Sequence, residues 1–190
     1  AKETLPNISF DIADLETFTP KEPVDLFFSN AVLMLLPKQS LVETLTRLIE
    51  NLSPGGVLAF QVPNTLSQPS HMALSQSFMQ ATRGAKTRPH VPQGRDEFLK
   101  AYELQNVLSP LCSDVDIWET RYFHKMESHQ AIVEWIKGTA LRPFLDPLSK
   151  SQRDGFLKDY LWRLRKFYPK QKDGTVLLPY LRLFVVATKA

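Results

Sequence analysis

The sequence has little of several features that would mark a specialised class of protein. It has one cysteine, Cys112, so no disulfide can form within the chain. No apolar run is long enough to cross a membrane, and the charged residues Lys2 and Glu3 do not fit a secretory signal. The net charge of +3 is too small to indicate nucleic-acid binding, although it suits a small anionic ligand. We therefore expect a soluble cytoplasmic protein with neither a nucleic-acid nor a membrane partner.

Glycine is also scarce, with seven residues in 190, and Gly55 and Gly56 are the only adjacent pair. Nucleotide-type cofactor sites in α/β folds use a Gly-rich turn after the first strand and an acidic residue at the end of the second. The Gly55–Gly56 pair precedes an apolar run, so it cannot be that turn. What the sequence does have is enough apolar residues, 43%, to bury one sizeable core.

The clearest local pattern is a strand, a helix and a second strand. The runs 24–28 and 57–62 are short, rich in Val, Leu and Phe, and bounded by Pro or Gly, as buried parallel strands tend to be. A helix is predicted over 38–52, with the stop signal at 54–56. Its inward face is Leu41, Val42, Leu45, Leu48, Ile49 and Leu52. This unit predicts an α/β fold.

Polar residues follow both predicted strands. Ser29, Asn30 and Ala31 end the first, and Gln61 and Asn64 lie at the end of the second. Ligands of open α/β sheets bind just beyond the carboxyl ends of the strands. The sequence therefore favours a ligand site here.

Four segments resemble one family. Asp-Leu-Phe-Phe-Ser-Asn-Ala (25–31) with Leu-Ser-Pro-Gly-Gly-Val-Leu-Ala-Phe-Gln (52–61) resembles strands four and five of class I S-adenosylmethionine-dependent methyltransferases. The segments Val-Asp-Ile-Trp-Glu-Thr-Arg-Tyr-Phe-His (115–124) and His-Gln-Ala-Ile-Val-Glu-Trp-Ile-Lys-Gly-Thr-Ala-Leu-Arg-Pro-Phe-Leu (129–145) are also similar to the family. Within that class, the resemblance is to the trans-aconitate methyltransferase family, and it covers nearly the whole chain in one order.

The resemblance implies a Rossmann-like sheet with helices on both faces. It places the core over 1–127, a helical insertion that roofs the site over 128–170, and the last core strand over 171–190, antiparallel between the fifth and sixth strands. It also implies that about two βα units are missing from the amino end. The two lost strands would lie between a strand at 8–12 and the strand at 24–28, which leaves two unpaired sheet edges. Self-association through these edges is therefore expected.

The resemblance further implies methyl transfer from S-adenosyl-L-methionine to a carboxylate oxygen of a small polycarboxylic acid such as trans-aconitate. It assigns Asp14, Leu15, Asn30 and Ala31 to the cofactor, with Asp14 accepting a hydrogen bond from the adenine amino group. The alternative for Asp14 is that it caps the turn that follows it. No metal ligand is expected, and Cys112 is expected to be an inert buried thiol.

The expected substrate residues are hydrogen-bond donors and cations. Tyr122 and His124 share one face of a predicted strand with Trp118 and Thr120, and such donors could bind carboxylate oxygens. An outer aromatic face of an edge strand is the alternative. The guanidinium of Arg142 could form a bidentate, charge-assisted pair with a substrate carboxylate. The alternative is a structural arginine that bonds to loop carbonyls. The full expected set is His71, Tyr122, His124, Arg142 and Arg182.

One departure from the family bears on the acceptor. After Asn30 and Ala31 the family usually carries Gln-Trp, whereas this chain has Met34 and Leu35. Two alternatives therefore stay open: a methyltransferase with a different small acceptor, and a non-catalytic remnant that serves as an interaction module.

Overall fold

The computed structural model describes residues 3–84, 97–138 and 140–190, and these form a mixed α/β fold. The strands are β1 (Val24–Asn30), β2 (Leu52–Pro63), β3 (Cys112–Met126) and β4 (Val176–Lys189). The helices are α1 (Lys38–Glu50), α2 (Pro69–Ala81), α3 (Ala101–Leu108), α4 (His129–Lys137), α5 (Arg142–Leu145) and α6 (Lys150–Phe167). A 3-10 turn spans Leu33–Leu35.

The predicted strand, helix and strand are confirmed, and β1 pairs with β2 in parallel. The predicted stop at 54–56 is wrong, because α1 already ends at Glu50 with Asn51 as its C-cap. The segment 54–56 instead belongs to β2, where Gly55 adopts a φ of 73°. The pairing register shifts there, with Val24 opposite Leu52 but Leu26 opposite Val57. Glycine suits this irregularity, since it tolerates positive φ.

The strand order is β1–β2–β4–β3, so the last strand lies between its two predecessors, as predicted. Near the end of the chain, the Ala190 N–H donates to the Leu111 carbonyl and the Ser113 hydroxyl donates to the Thr188 carbonyl. The residue numbers rise along β3 as they fall along β4. These two strands are therefore antiparallel.

The chain divides into two compact units, neither of which is continuous in sequence. One contains Ala1–Gln61, Leu99–Trp118 and Phe184–Ala190, and the other Val62–Phe98 and Glu119–Leu183. The predicted core, helical insertion and last strand, with boundaries at 127 and 170, stay a prediction. The second unit has a core built from α2, α4, α5 and α6, with aromatic contacts between Phe78 and Phe144 and between Phe144 and Phe156.

The helices of the second unit follow their sequence signals. Ser128 caps α4 by accepting a hydrogen bond from the Ala131 N–H at 3.1 Å. Ser149 and Gln152 form a capping box at the start of α6. In the first unit, α3 begins at Ala101, and residues 85–96 lie outside the described residues. No helix within the described ranges is long and apolar enough to cross a membrane.

The strand predicted over 8–12 is wrong, because residues 3–23 contain no strand. Ile8 is 53% exposed and Ile12 fully so. The alternation of apolar residues can form a strand only if a neighbouring strand offers backbone partners, and the described residues offer none to this segment.

Arg47 of α1 holds part of this segment. Its guanidinium donates to the Leu15 carbonyl at 2.6 Å and to the Phe18 carbonyl at 3.2 Å. Arg47→Met keeps the apolar stem but removes both hydrogen bonds, so it should lower the free energy of unfolding by about 1–2 kcal/mol. Urea denaturation measures this, and limited proteolysis should show faster cleavage at 15–18. Unchanged stability together with unchanged cleavage would contradict the anchoring role.

Candidate functional site

Asn30 and Ala31 meet Gln61 where β1 and β2 end. The Gln61 side-chain amide donates to the Asn30 Oδ1, and the Ala31 N–H donates to the Gln61 carbonyl at 2.9 Å. Gln61 is 8% exposed. The structure therefore places two of the predicted cofactor residues at the carboxyl ends of parallel strands, the usual position of a ligand site.

Ala31 has a φ of 57°, and among the described residues it is the only non-glycine with positive φ. The left-handed conformation costs an L-residue about 1–2 kcal/mol, and such strain concentrates at functional sites. The hydrogen bond from the Ala31 N–H to the Gln61 carbonyl thus offsets part of the cost of the left-handed conformation at the end of the strand.

Ala31→Gly should relieve this strain and raise the free energy of unfolding by about 0.5–1 kcal/mol, net of the extra chain entropy of glycine. Ala31→Val should lower it, because a β-branched side chain tolerates positive φ still less well. Urea denaturation of the two variants checks the opposite signs. If both variants lower stability equally, the backbone strain at Ala31 is not the cause.

Asp14 and Leu15 lie away from Asn30 and Ala31. The Leu15 carbonyl is held by Arg47 in the last turn of α1, a helix that ends beside the start of β1. The Asp14 carboxylate accepts a hydrogen bond from the Glu16 N–H at 2.9 Å, and its carbonyl accepts from the Phe18 N–H at 2.7 Å. The structure thus shows the turn cap that was the alternative for Asp14. Its contact with the cofactor stays a prediction.

His124 lies in an aromatic cluster with Trp135 of α4 and Tyr180 of β4. The three ring centroids are 5.4 Å from one another in every pair. The Arg182 guanidinium lies 5.0 Å from the centre of the Tyr180 ring, a cation–π distance. Two expected substrate residues, His124 and Arg182, are therefore connected through Tyr180, whose ring contacts both.

The His124 Nε2 is buried and has no hydrogen-bond partner among the described residues. A buried polar atom without a partner costs about 1–3 kcal/mol, so such atoms are rare in folded proteins and call for a cause. Trp135, which is 46% exposed, is one of the two rings beside it. A ligand oxygen could reach the nitrogen if this ring moved.

His71 is connected to the same region through the end of β2. Its Nε2 lies 3.4 Å from the Thr65 hydroxyl, and the neighbouring Asn64 N–H donates to the Leu181 carbonyl at 2.9 Å. Leu181 lies between Tyr180 and Arg182 in sequence. The Asn64 side chain also donates to Glu119 at 3.0 Å.

Tyr122 and Arg142 differ in how far the structure connects them to this cluster. Tyr122 is 41% exposed and, by strand alternation, shares the face of His124. Arg142 begins α5 and lies 3.8 Å from Asp146, with a 78% exposed side chain. None of the contacts among described residues joins Arg142 to His124 or Arg182. Substrate binding by both residues stays a prediction.

Sequence reasoning missed Trp135 and Tyr180 as members of a site. Tyr180 could have been found, since it precedes Arg182 by two residues and strand alternation puts both on one face. Trp135 has the helical spacing of an ordinary packing residue, and nothing in that spacing indicates a histidine partner.

The remaining observations concern metal ligands and two ionisable groups, the Cys112 thiol and the Tyr160 hydroxyl. Among the described residues, no group of three or more metal-ligating side chains could hold a metal ion. Burial raises the pKa of the Cys112 thiol above its usual range, which lowers its thiolate fraction at neutral pH. The pKa of Tyr160 is raised well above its usual range by burial, with a smaller contribution from Tyr168, so its hydroxyl stays a donor to the Ser70 carbonyl.

Sequence comparison with known proteins finds relatives that are 40–44% identical to this chain. No family model matches the chain. Trans-aconitate 2-methyltransferase of Rhizobium leguminosarum bv. trifolii is 44% identical over 191 aligned positions, covering 100% of this chain and 73% of the relative. Proteins of the same name from Methylobacterium radiotolerans and Rhodopseudomonas palustris are 40% and 41% identical, with the same coverage.

Similarity to solved structures is weaker. The YcgJ protein from Bacillus subtilis has a TM-score of 0.48 at 13% identity, covering 99% of this chain and 74% of that protein. Coclaurine N-methyltransferase bound to N-methylheliamine and SAH has a TM-score of 0.46 at 15% identity, covering 99% of this chain and 54% of that protein. These scores are too low to carry an argument.

Proposed function

Because the chain belongs to the trans-aconitate 2-methyltransferase family, we propose that it transfers the methyl group of S-adenosyl-L-methionine to a carboxylate oxygen of a small polycarboxylic acid such as trans-aconitate. The observation that carries this proposal is the 44% identity that extends over the whole chain. The cluster around His124 supports an anionic acceptor.

The chemistry asks for alignment more than for proton transfer. A carboxylate is already ionised at neutral pH, so it needs no general base. Its oxygen forms a bond to the methyl carbon while the carbon–sulfur bond breaks, and the electron pair goes to sulfur, which becomes a neutral thioether. The protein must hold the oxygen in line with that bond and compensate the remaining charges of the acid.

The residues present fit one wall of a cofactor site. Asn30 has an amide NH₂ besides the oxygen that Gln61 engages, and the Ala31 carbonyl follows it at the strand end. When bound there, the cofactor would supply an electrophilic methyl group. Asp14 and Leu15 would have to approach this wall to join it, and we propose that they do so when the cofactor binds.

The acceptor site in this proposal is the cluster of His124 and Arg182. A carboxylate oxygen would accept a hydrogen bond from the His124 Nε2 and a charge-assisted bond from Arg182. His71, Tyr122 and Arg142 would bind the other oxygens, and residues 128–170 would form the insertion that covers the acid. Movement of Trp135 would admit the acid to His124.

Calorimetric titration with S-adenosylhomocysteine tests cofactor binding by the 190-residue chain itself. We expect a dissociation constant in the micromolar range, about 8 kcal/mol of binding free energy. Absence of heat at millimolar ligand would favour the alternative of a non-catalytic remnant.

A different acceptor is the second candidate function. Met34 and Leu35 follow Ala31 in the 3-10 turn, and Leu35 is 67% exposed. These apolar side chains would favour an acid with an apolar portion over one with three carboxylates. A panel of trans-aconitate, tricarballylate and monocarboxylic acids with apolar tails decides between the two candidates by comparison of kcat/KM.

Self-association and location complete the proposal. β1 lies at an edge of the sheet, and its side chains Leu26 and Phe28 are 56% and 73% exposed. We propose pairing with a second copy through this edge, which light scattering of the chain and of Phe28→Ser would test.

A cytoplasmic location and the absence of a nucleic-acid partner are proposed from the single cysteine and the small net charge.

A further inference from the structure

A cavity of about 460 Å³ lies at the start of α4. This volume falls within the usual range of small-ligand pockets. The lining residues are Ser128, His129, Gln130, Leu161, Arg165 and Lys170. None of them carries a carboxylate, and two carry a positive charge.

The side chains of the two cations differ from those of their basic neighbours, because neither has an ion-pair partner among the described residues. Arg163 is bound by Asp159 at 2.7 Å and by Gln76 at 2.6 Å. Lys166 lies 3.9 Å from the centre of the Trp162 ring. Arg165 and Lys170, in contrast, form no ion pair with any residue in the described part of the chain. Their charges are available to a ligand in the cavity.

His129 is a second and independent feature, because it lines the cavity and is only 5% exposed. Its Nε2 lies 2.7 Å from the Tyr168 carbonyl. A carbonyl only accepts, so the Nε2 must donate, and in the neutral ring the Nδ1 is then an acceptor. The Nδ1 has no hydrogen bond to another described residue. The cavity thus offers two cations and one acceptor.

The backbone adds to this preference for an anion. The first turn of α4 has no acidic residue, and of its free N–H groups only that of Ala131 is engaged by the Ser128 cap. The amides of His129 and Gln130 lie at the positive end of the helix dipole and have no acceptor among the residues that the structure describes.

We propose that this cavity binds a small oxyanion that carries its own O–H group, such as monohydrogen phosphate. Its charged oxygens would contact Arg165, Lys170 and the α4 amides, and its O–H would donate to the His129 Nδ1. An anion without a hydroxyl has no proton to donate, so the lone pairs of its oxygens would repel the lone pair of the Nδ1. The inference is independent of the proposed methyl transfer.

Calorimetric titration at about pH 8 and constant ionic strength compares inorganic phosphate with sulfate. Phosphate is then mainly HPO₄²⁻, whereas sulfate has the same charge and no O–H. We expect phosphate to bind at least about tenfold more tightly, and its binding to shift the amide resonances of His129 and Gln130. Equal affinity for the two anions would overturn the proposal.

Single substitutions that each remove one positive charge test whether phosphate binds in this cavity. Arg165→Gln and Lys170→Gln should each weaken phosphate binding about fivefold, and the double variant should weaken the binding of phosphate and of sulfate further still. The control is Lys172→Gln, which removes a positive charge from an exposed residue that does not line the cavity, and it should change affinity by less than about twofold. Equal losses in all three would mean that only net charge matters and would also overturn the proposal.

Discussion

His124→Phe should lower kcat/KM for the carboxylate acceptor by about tenfold to a hundredfold without destabilising the protein. Phenylalanine keeps an aromatic ring between Trp135 and Tyr180 but removes the buried Nε2, which has no partner among the described residues. The free energy of unfolding should therefore stay unchanged or rise by about 1 kcal/mol. Steady-state kinetics and urea denaturation of the same preparation measure the two effects.

The control for this variant is Phe123→Ala. Phe123 is 60% exposed and, by alternation along β3, lies on the face opposite His124. It should leave kcat/KM within about twofold. If His124→Phe has full activity, the nitrogen does not bind the acceptor, and the cluster is only packing. Affinity for S-adenosylhomocysteine should be the same in both variants and the parent chain.

Phe156→Ala should lower the free energy of unfolding by about 3–5 kcal/mol. The side chain is fully buried in the core of the second unit, stacked with Phe144 at 6.3 Å and with Tyr160 at 6.1 Å. Its removal leaves a cavity among rings that cannot collapse onto one another. Since domains are stable by only about 5–15 kcal/mol, much of the folded population could be lost at 37 °C.

Phe167 provides the matched comparison, because it ends the same helix and is 43% exposed. Phe167→Ala should cost less than about 1 kcal/mol. Thermal and urea unfolding, followed by circular dichroism, distinguish the two positions. Similar losses at both would contradict the assignment of the core to the buried face of α6.

The elements that sequence reasoning located were those with their own local signals. β1, α1 and β2 have short apolar runs and a clear helical period, and α6 has a capping box. The segment 8–12 also has a strand's alternation, yet it is exposed and unpaired. Alternation reports only which residues could share a face. Whether a strand forms depends on partners elsewhere in the chain.

The site shows the same limit. Asn30 was predictable because it directly follows a buried strand, and His124 because it alternates with Tyr122. The neighbours of His124 depend on the sheet order, which puts β4 beside β3. Tyr180 and Trp135 are far from His124 in sequence, and no local period connects them. Their contact arises only when the sheet and α4 have formed.

Methyl transfer to trans-aconitate can be followed by mass spectrometry after incubation with the 190-residue chain and S-adenosyl-L-methionine that has an isotopically labelled methyl group. We expect a labelled monomethyl ester and an equal amount of S-adenosylhomocysteine, with both lowered by about tenfold or more in His124→Phe. No labelled ester from trans-aconitate or from any acid of the acceptor panel, by a chain that binds S-adenosylhomocysteine, would contradict it.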